Sequence, residues 1–147
     1  MHAEVAPEFT LAVRPVTVND GPYLVNSWLN SIWKGSSYPA RMQISRETFF
    51  RFHRLKIAST LQAASVLVAH PSGDSDTVLG YLVHGSFEGR PVVQYLYTRS
   101  AWRRIGIAKA LLAAAGVDLN QAFYPVHTGD CDWLKAKHPG LSFNPYL

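Results

Sequence analysis

The chain has 147 residues, 48% of them hydrophobic and 12% aromatic, so it reads as one domain able to bury a core and not as a disordered segment. Its net charge of +4 suits an anionic ligand and equally a loose contact with nucleic acid, so charge alone does not choose between them. A single cysteine, Cys131, excludes an internal disulfide and fits a reducing cytoplasm, the expected location; no apolar run approaches the roughly 18 residues of a membrane span, and the N-terminus lacks the basic-then-apolar order of an export signal.

One domain is expected over residues 1–147, with 1–8 as a flexible N-terminal arm lacking periodicity. Thr10 to Val16 reads as a strand, with Pro15 marking its edge or end. Thr17 to Asp20 supplies capping side chains for a helix through about Trp33, whose face is approximated by Tyr23, Leu24, Ser27, Trp28 and Ile32; a basic residue and glycine, Lys34-Gly35, stop it. Ser45 is the expected N-cap of a second helix through about Ala64, with Phe49, Phe52, Ile57 and Leu61 apolar and Arg46, Arg51, Arg54 and Lys56 basic. Such a basic face is ordinarily a solvated one.

Ser65 to His70 and Thr77 to His84 are expected to pair as a hairpin across the turn-forming Pro71 to Asp76. Phe87 to Arg90 then turns the chain into a strand over 91–98, completing an antiparallel meander. Phe123 to Thr128 is the expected fifth strand, parallel to 91–98 with the intervening helix as a right-handed crossover. Cys131 to Lys137 is a short helix ended by His138-Pro139-Gly140, and Leu141 to Phe143 a last strand.

The segment that carries chemistry is Pro91 to Gly116. A strand (PVVQYLYT) leads through a short turn into Arg103-Arg104-Ile105-Gly106-Ile107-Ala108, the spacing R-x-x-G-x-A, and then into an alanine- and leucine-rich helix. A helix opened this way aims unpaired N–H groups and the positive end of its dipole at one spot, which suits phosphate. Gly106 and Ala108 leave the backbone accessible there, and Arg103, Arg104 and Lys109 add charge.

On those residues the chain resembles the GNAT N-acetyltransferases, whose signature is R/Q-x-x-G-x-G/A between a core strand and a helix. The Val13-Arg14-Pro15 string of the first strand and VLGYLV, 78–83, extend the likeness. A weaker similarity is to short GNAT-like proteins of tailed phages, carried by Ser27-Trp28-Leu29 and the ending Phe143 to Leu147. The resemblance implies an α/β fold with a mixed, mostly antiparallel sheet of about six strands and about four helices. It also implies acetyl-CoA as co-substrate, held by Leu96, Tyr97, Thr98, Arg103, Arg104, Ile105, Gly106, Ile107, Ala108 and Lys109, with no metal. The acetyl group would pass directly to a primary amine whose identity is left open. If the first two helices wall the acceptor site, as in that family, the arginines of the second favour an acidic or phosphorylated acceptor.

Three departures from the family pattern stand out. Gln94 occupies the strand where a glutamate base is common, the helix 131–137 has no tyrosine, and the chain ends about one strand early. Glu88 and His84 remain as candidates for the base, against ordinary roles as a solvated turn residue and a satisfied strand residue. For protonating the thiolate, Tyr146, Tyr124, Lys135 and Cys131 are all available, and His127 lies on the expected fifth strand. The alternatives to an N-acetyltransferase are a non-catalytic acyl-CoA-binding module and, behind it, a nucleic-acid-binding protein. A homodimer is allowed, and no membrane partner is expected.

Overall fold

Six apolar segments associate into one sheet in the order β1-β2-β3-β4-β5-β6, comprising β1 (Leu11–Pro15), β2 (Ser65–Pro71), β3 (Gly80–Phe87), β4 (Arg90–Thr98), β5 (Phe123–Tyr124) and β6 (Ser142–Phe143). The computed structural model describes residues 10–35, 43–103, 105–125 and 134–147. The first four strands are antiparallel neighbours, while β5 joins β4, and β6 joins β5, in parallel. This is the expected mixed, mostly antiparallel sheet. Its helices are α1 (Gly21–Gly35), α2 (Arg46–Ala63) and α3 (Ile107–Ala115), with a fourth helical stretch over 134–137.

Local chemistry sets the helix ends. The Ser45 hydroxyl accepts from Thr48 N at 3.2 Å, capping α2 where the sequence places it. Thr17 and Asp20 form a capping box, but around a 3-10 turn (Val18–Asp20) that precedes α1, so the helix proper starts at Gly21. Gly116, in the left-handed region at φ 68°, closes α3 as its amide and that of Val117 turn back to Ala113 and Leu112.

The sheet is filled on both faces. On one, α1 and α2 bury Leu24, Trp28, Leu29, Ile32, Phe49 and Ile57 against Val66, Val68, Tyr81 and Val83. On the other, Ile107 and Leu111 of α3 pack on Ala69, Leu79, Leu82 and Val93. Val66/Val68 and Leu67/Ala69 divide between the two clusters, as the period of two along a strand requires.

Three expectations need correction. Phe52 is not part of the buried stripe of α2: it is 66% exposed, and His53 takes its place with its ring 4.2 Å from that of Phe49. The i, i+4 stripe 49–53–57–61 fixes that outcome, and burial then holds the His53 imidazole below its ordinary pKa. The third strand runs over 80–87, not 77–84, although Leu79 N already bonds to Ala69 O at 2.9 Å. The fifth strand is seen over Phe123–Tyr124 and leaves out Pro125, which has no N–H to give to a ladder; the rest of the expected 123–128 lies outside the described residues. The flexible arm 1–8, His127 and Cys131 lie outside the described residues.

In β4, Val83 pairs with Tyr95 but His84 pairs with Val93, leaving Gln94 as an extra residue. Its effect on packing is direct. Val93 and Leu96, three positions apart, join the α3-side cluster, whereas Tyr95 and Tyr97 pack on the α1 side.

Candidate active site at the end of β4

The strand β4 differs along its length. It is paired with β3 along its run except at Gln94, but toward β5 the described residues show the single pair Val92 with Phe123. From Leu96 to Thr98 the β5-facing edge therefore has no strand partner among the described residues. Pro125, which the parallel register would bring opposite Gln94, has no N–H to give to the ladder there.

Directly beyond this edge the chain forms a 3-10 turn (Ser100–Trp102) and enters α3 through Gly106 at φ 90°. No side chain caps the helix, and the first bond across the cap runs from Ala110 N to Gly106 O at 2.9 Å. The amides of Ile107, Ala108 and Lys109 thus have no acceptor among the described residues, and they point out of the first turn. A Cβ built on Gly106 would meet nothing within 4 Å apart from its chain neighbours and the helix's own backbone, so no other element crowds this entry. Ile107 is buried and anchors the turn, while Ile105, Arg103 and Lys109 are exposed. Arg103 Nε reaches back to Thr98 O at 3.4 Å. Open amides, the helix dipole and two cations make a cradle suited to a diphosphate.

Gly80 determines how close this cradle sits to the sheet. A Cβ there would lie 2.6 Å from Tyr97 O and 2.9 Å from Ile107 Cγ2, so only glycine lets the start of α3 nest against β3 and β4.

Of the expected cofactor residues, Leu96, Tyr97, Thr98, Arg103, Ile105, Gly106, Ile107, Ala108 and Lys109 cluster at this corner, and Arg104 lies outside the described residues. The three expected catalytic residues do not come together. Glu88 is exposed at φ 51° in the two-residue turn joining β3 to β4, with Gly89 at φ 77°. That turn is at the opposite end of β4, about 25 Å from Thr98 at the usual rise per residue. Tyr146 is 94% exposed, three residues past β6. His84 alone lies midway along β4, on the neighbouring strand β3, opposite Val93 beside the extra residue Gln94. Burial holds its imidazole below the ordinary pKa, so it is neutral at pH 7.

A second cluster, on the α1 face of β4, has no local signal in the sequence. Trp28 stacks on Tyr95 at 4.7 Å between centroids, and Tyr81 on Tyr97 at 5.1 Å. The Tyr81 hydroxyl donates to Leu24 O at 3.1 Å and lies 2.8 Å from Ser27 Oγ, and burial pushes its pKa up. Arg99, one residue past β4, donates from Nε to the Tyr23 hydroxyl at 3.2 Å, with its guanidinium 5.2 Å from that ring's centroid. Tyr97 is hydrogen-bonded to Tyr23, and burial first, then that bond, raise its pKa. Tyr23 and Arg99 are 76 positions apart, so no local spacing announces the contact.

Two surface depressions lie elsewhere. One of about 370 Å³ runs along α2 beside Phe50, Arg51, Arg54 and Leu55, and another of about 430 Å³ lies beside Arg14, Asp20 and Asp76. Neither is lined by β4 or α3. Among the described residues no helix is long and apolar enough to cross a membrane.

No family model matches the chain, and no curated protein does. Solved structures do match in fold. A proposed acetyl transferase from Pyrococcus furiosus superposes with a TM-score of 0.62 at 13% identity, covering 87% of this chain and 91% of that one. A GCN5-related N-acetyltransferase from Ralstonia eutropha JMP134 superposes with a TM-score of 0.55 at 14% identity, covering 87% and 90%. The chain therefore has the GNAT fold, as the R-x-x-G-x-A turn led one to expect.

Proposed function

We propose that this chain is an acetyl-CoA-dependent N-acetyltransferase that transfers the acetyl group directly to a primary amine. One observation carries the proposal: three open amides at the start of α3 adjoin the end of β4, Leu96 to Thr98, which has no strand partner toward β5 among the described residues. Arg103, Arg104 and Lys109 with the amides of 107–109 would hold the diphosphate, and the edge of Leu96 to Thr98 would pair with the pantetheine amides. When bound, acetyl-CoA supplies an activated acyl group. The chain's own contribution is to fix that group beside the acceptor amine and to offer backbone N–H groups of β4 to the carbonyl oxygen, with His84 at hand for the amine proton.

Gln94 beside the irregularity favours a second reading, a non-catalytic CoA-binding module, because an amide side chain takes no proton. Release of free CoA in the presence of a panel of primary amines separates the two.

The test of the binding site is Gly106→Val. A β-branched residue held at φ 90° costs about 1–2 kcal/mol and puts its side chain into the open space before the amides. CoA affinity measured by calorimetry is expected to fall more than about tenfold while the chain stays folded, since the helix dipole and amides act only at contact. Unchanged affinity in a folded variant would remove the proposal.

A further inference from the structure

On the α1 face of β4, Tyr23, Tyr97 and Arg99 form a small network whose donors are not used up. The Tyr23 oxygen accepts from Arg99 Nε at 3.2 Å and is hydrogen-bonded to Tyr97. That bond uses one of the two phenol protons, whichever ring donates, so the other O–H has no acceptor among the described residues. It is offered to a third group. Arg99 likewise has two terminal amino groups with no acceptor among the described residues, where the only ion pair is between Arg14 and Asp20. A phenol O–H and a guanidinium edge, both half-buried and both donors only, make a receptor for an oxyanion.

Its position says which oxyanion. Tyr97 packs in the cluster on the α1 side of the sheet, whereas the start of α3, with its open amides, packs through Ile107 on the opposite side. We infer that Tyr23, Tyr97 and Arg99 bind a carboxylate or phosphate carried by the acceptor amine, an inference that rests on the acyltransferase function proposed above. The selected substrate class is an amine bearing an anionic group, such as an amino acid or a phosphorylated amine. This recognition is separate from the basic face of α2, because neither Tyr23 nor Arg99 belongs to that helix. Arg99 is pre-organised for it: Nε is fixed by Tyr23 and the guanidinium lies over that ring, so little rotamer freedom remains to be lost on binding.

The oxyanion receptor can be tested without catalysis. Inorganic phosphate is titrated into ¹⁵N-labelled protein while the Arg99 Nε–H resonance, identified by its loss in Arg99→Ala, is followed. A saturable shift that weakens in Tyr23→Phe is expected, and it should persist with CoA at saturation. No saturable shift overturns the receptor, and a shift abolished by CoA assigns it to the cofactor's phosphates and overturns the acceptor assignment. Turnover is the second arm, with acetyl-CoA and the matched pair phosphoethanolamine and ethanolamine. The phosphorylated member should be preferred by about tenfold or more in kcat/KM, the scale of a charge-assisted hydrogen bond, and Arg99→Ala should erase the preference while CoA affinity holds within about twofold. A preference for the neutral amine, or one that survives Arg99→Ala, overturns the inference. If no amine is acetylated, the acyltransferase function fails, and the phosphate titration still decides the receptor.

Discussion

Two arginines at two corners of the sheet contrast in how fully their donors are engaged. Arg14 places Nη1 and Nη2 on the two oxygens of Asp20 at 2.7 and 2.9 Å, and its remaining donors on the carbonyls of Pro15 and Ser75. It staples β1 to the turn before α1 and to the loop between β2 and β3. Among the described residues Arg99 uses only Nε, on Tyr23. A guanidinium saturated by the protein's own acceptors is structural; one held by a single donor is placed to receive something else. The same contrast divides β4, whose first half is paired on both sides and whose end, Leu96 to Thr98, leads into a helix start with open amides and has no partner toward β5 among the described residues.

The largest effect should come from breaking the saturated corner. Asp20 is 7% exposed, and it also accepts from Thr17 N at 2.8 Å. Asp20→Ala would leave a part-buried guanidinium without its counter-ion and a capping amide unmet, for a loss of about 3 kcal/mol in urea unfolding. Arg99→Ala should cost less than about 1 kcal/mol, since only one neutral acceptor loses its donor. Equal losses would erase the distinction between the corners. The hydrogen bond with Arg14 holds the Asp20 carboxyl below the usual range, so its contribution is present above the unfolded value of about 4 and is lost as pH falls further, through the folded pKa. Asp20→Asn should flatten that acid limb.

A smaller effect is expected at the open corner. Gly80→Ala sets a methyl against Tyr97 O and Ile107 Cγ2, so the β4 backbone at Tyr97 must shift and the side chain that seats the start of α3 must give way with it. Overpacking of this kind costs about 1–3 kcal/mol. The displaced amides should weaken CoA binding in proportion, which calorimetry would detect. A stable variant with normal affinity would mean that the corner tolerates looser geometry than the contact distances suggest.

How far the sequence carried this picture depends on the range of each signal. The cap at Ser45, the stop at Gly35, the meander of β2 to β4 and the glycine entry to α3 all rest on contacts within a few residues of one another, and the pattern of side chains exposed them. Phe52 was misassigned because three apolar residues at 49, 52 and 57 approximate a stripe whose true line passes through His53. The extra residue at Gln94 and the union of Tyr23 with Arg99 were out of reach. Each depends on register or packing between elements far apart in the chain.

The smallest effects should come from the acid–base candidates themselves. Glu88 sits in a turn at the far end of β4 and Tyr146 is exposed beyond β6, so Glu88→Gln and Tyr146→Phe should change turnover less than about tenfold, below the range of general acid–base assistance. His84 is closer, beside Gln94, and is kept neutral by burial, the form that accepts a proton. His84→Gln should lower turnover by less than about a hundredfold, the bottom of that range, because positioning of two reactants carries most of the rate. Stability supplies an independent check. With its folded pKa below the unfolded value of about 6.5, His84 binds fewer protons when folded, so stability is full above that pH and declines as pH falls toward the folded pKa. His84→Gln should remove part of that decline and leave stability at pH 8 nearly unchanged. A thousandfold loss of turnover with intact acetyl-CoA affinity would instead make His84 a dedicated base, and the open corner would then owe its rate to proton transfer and not to placement.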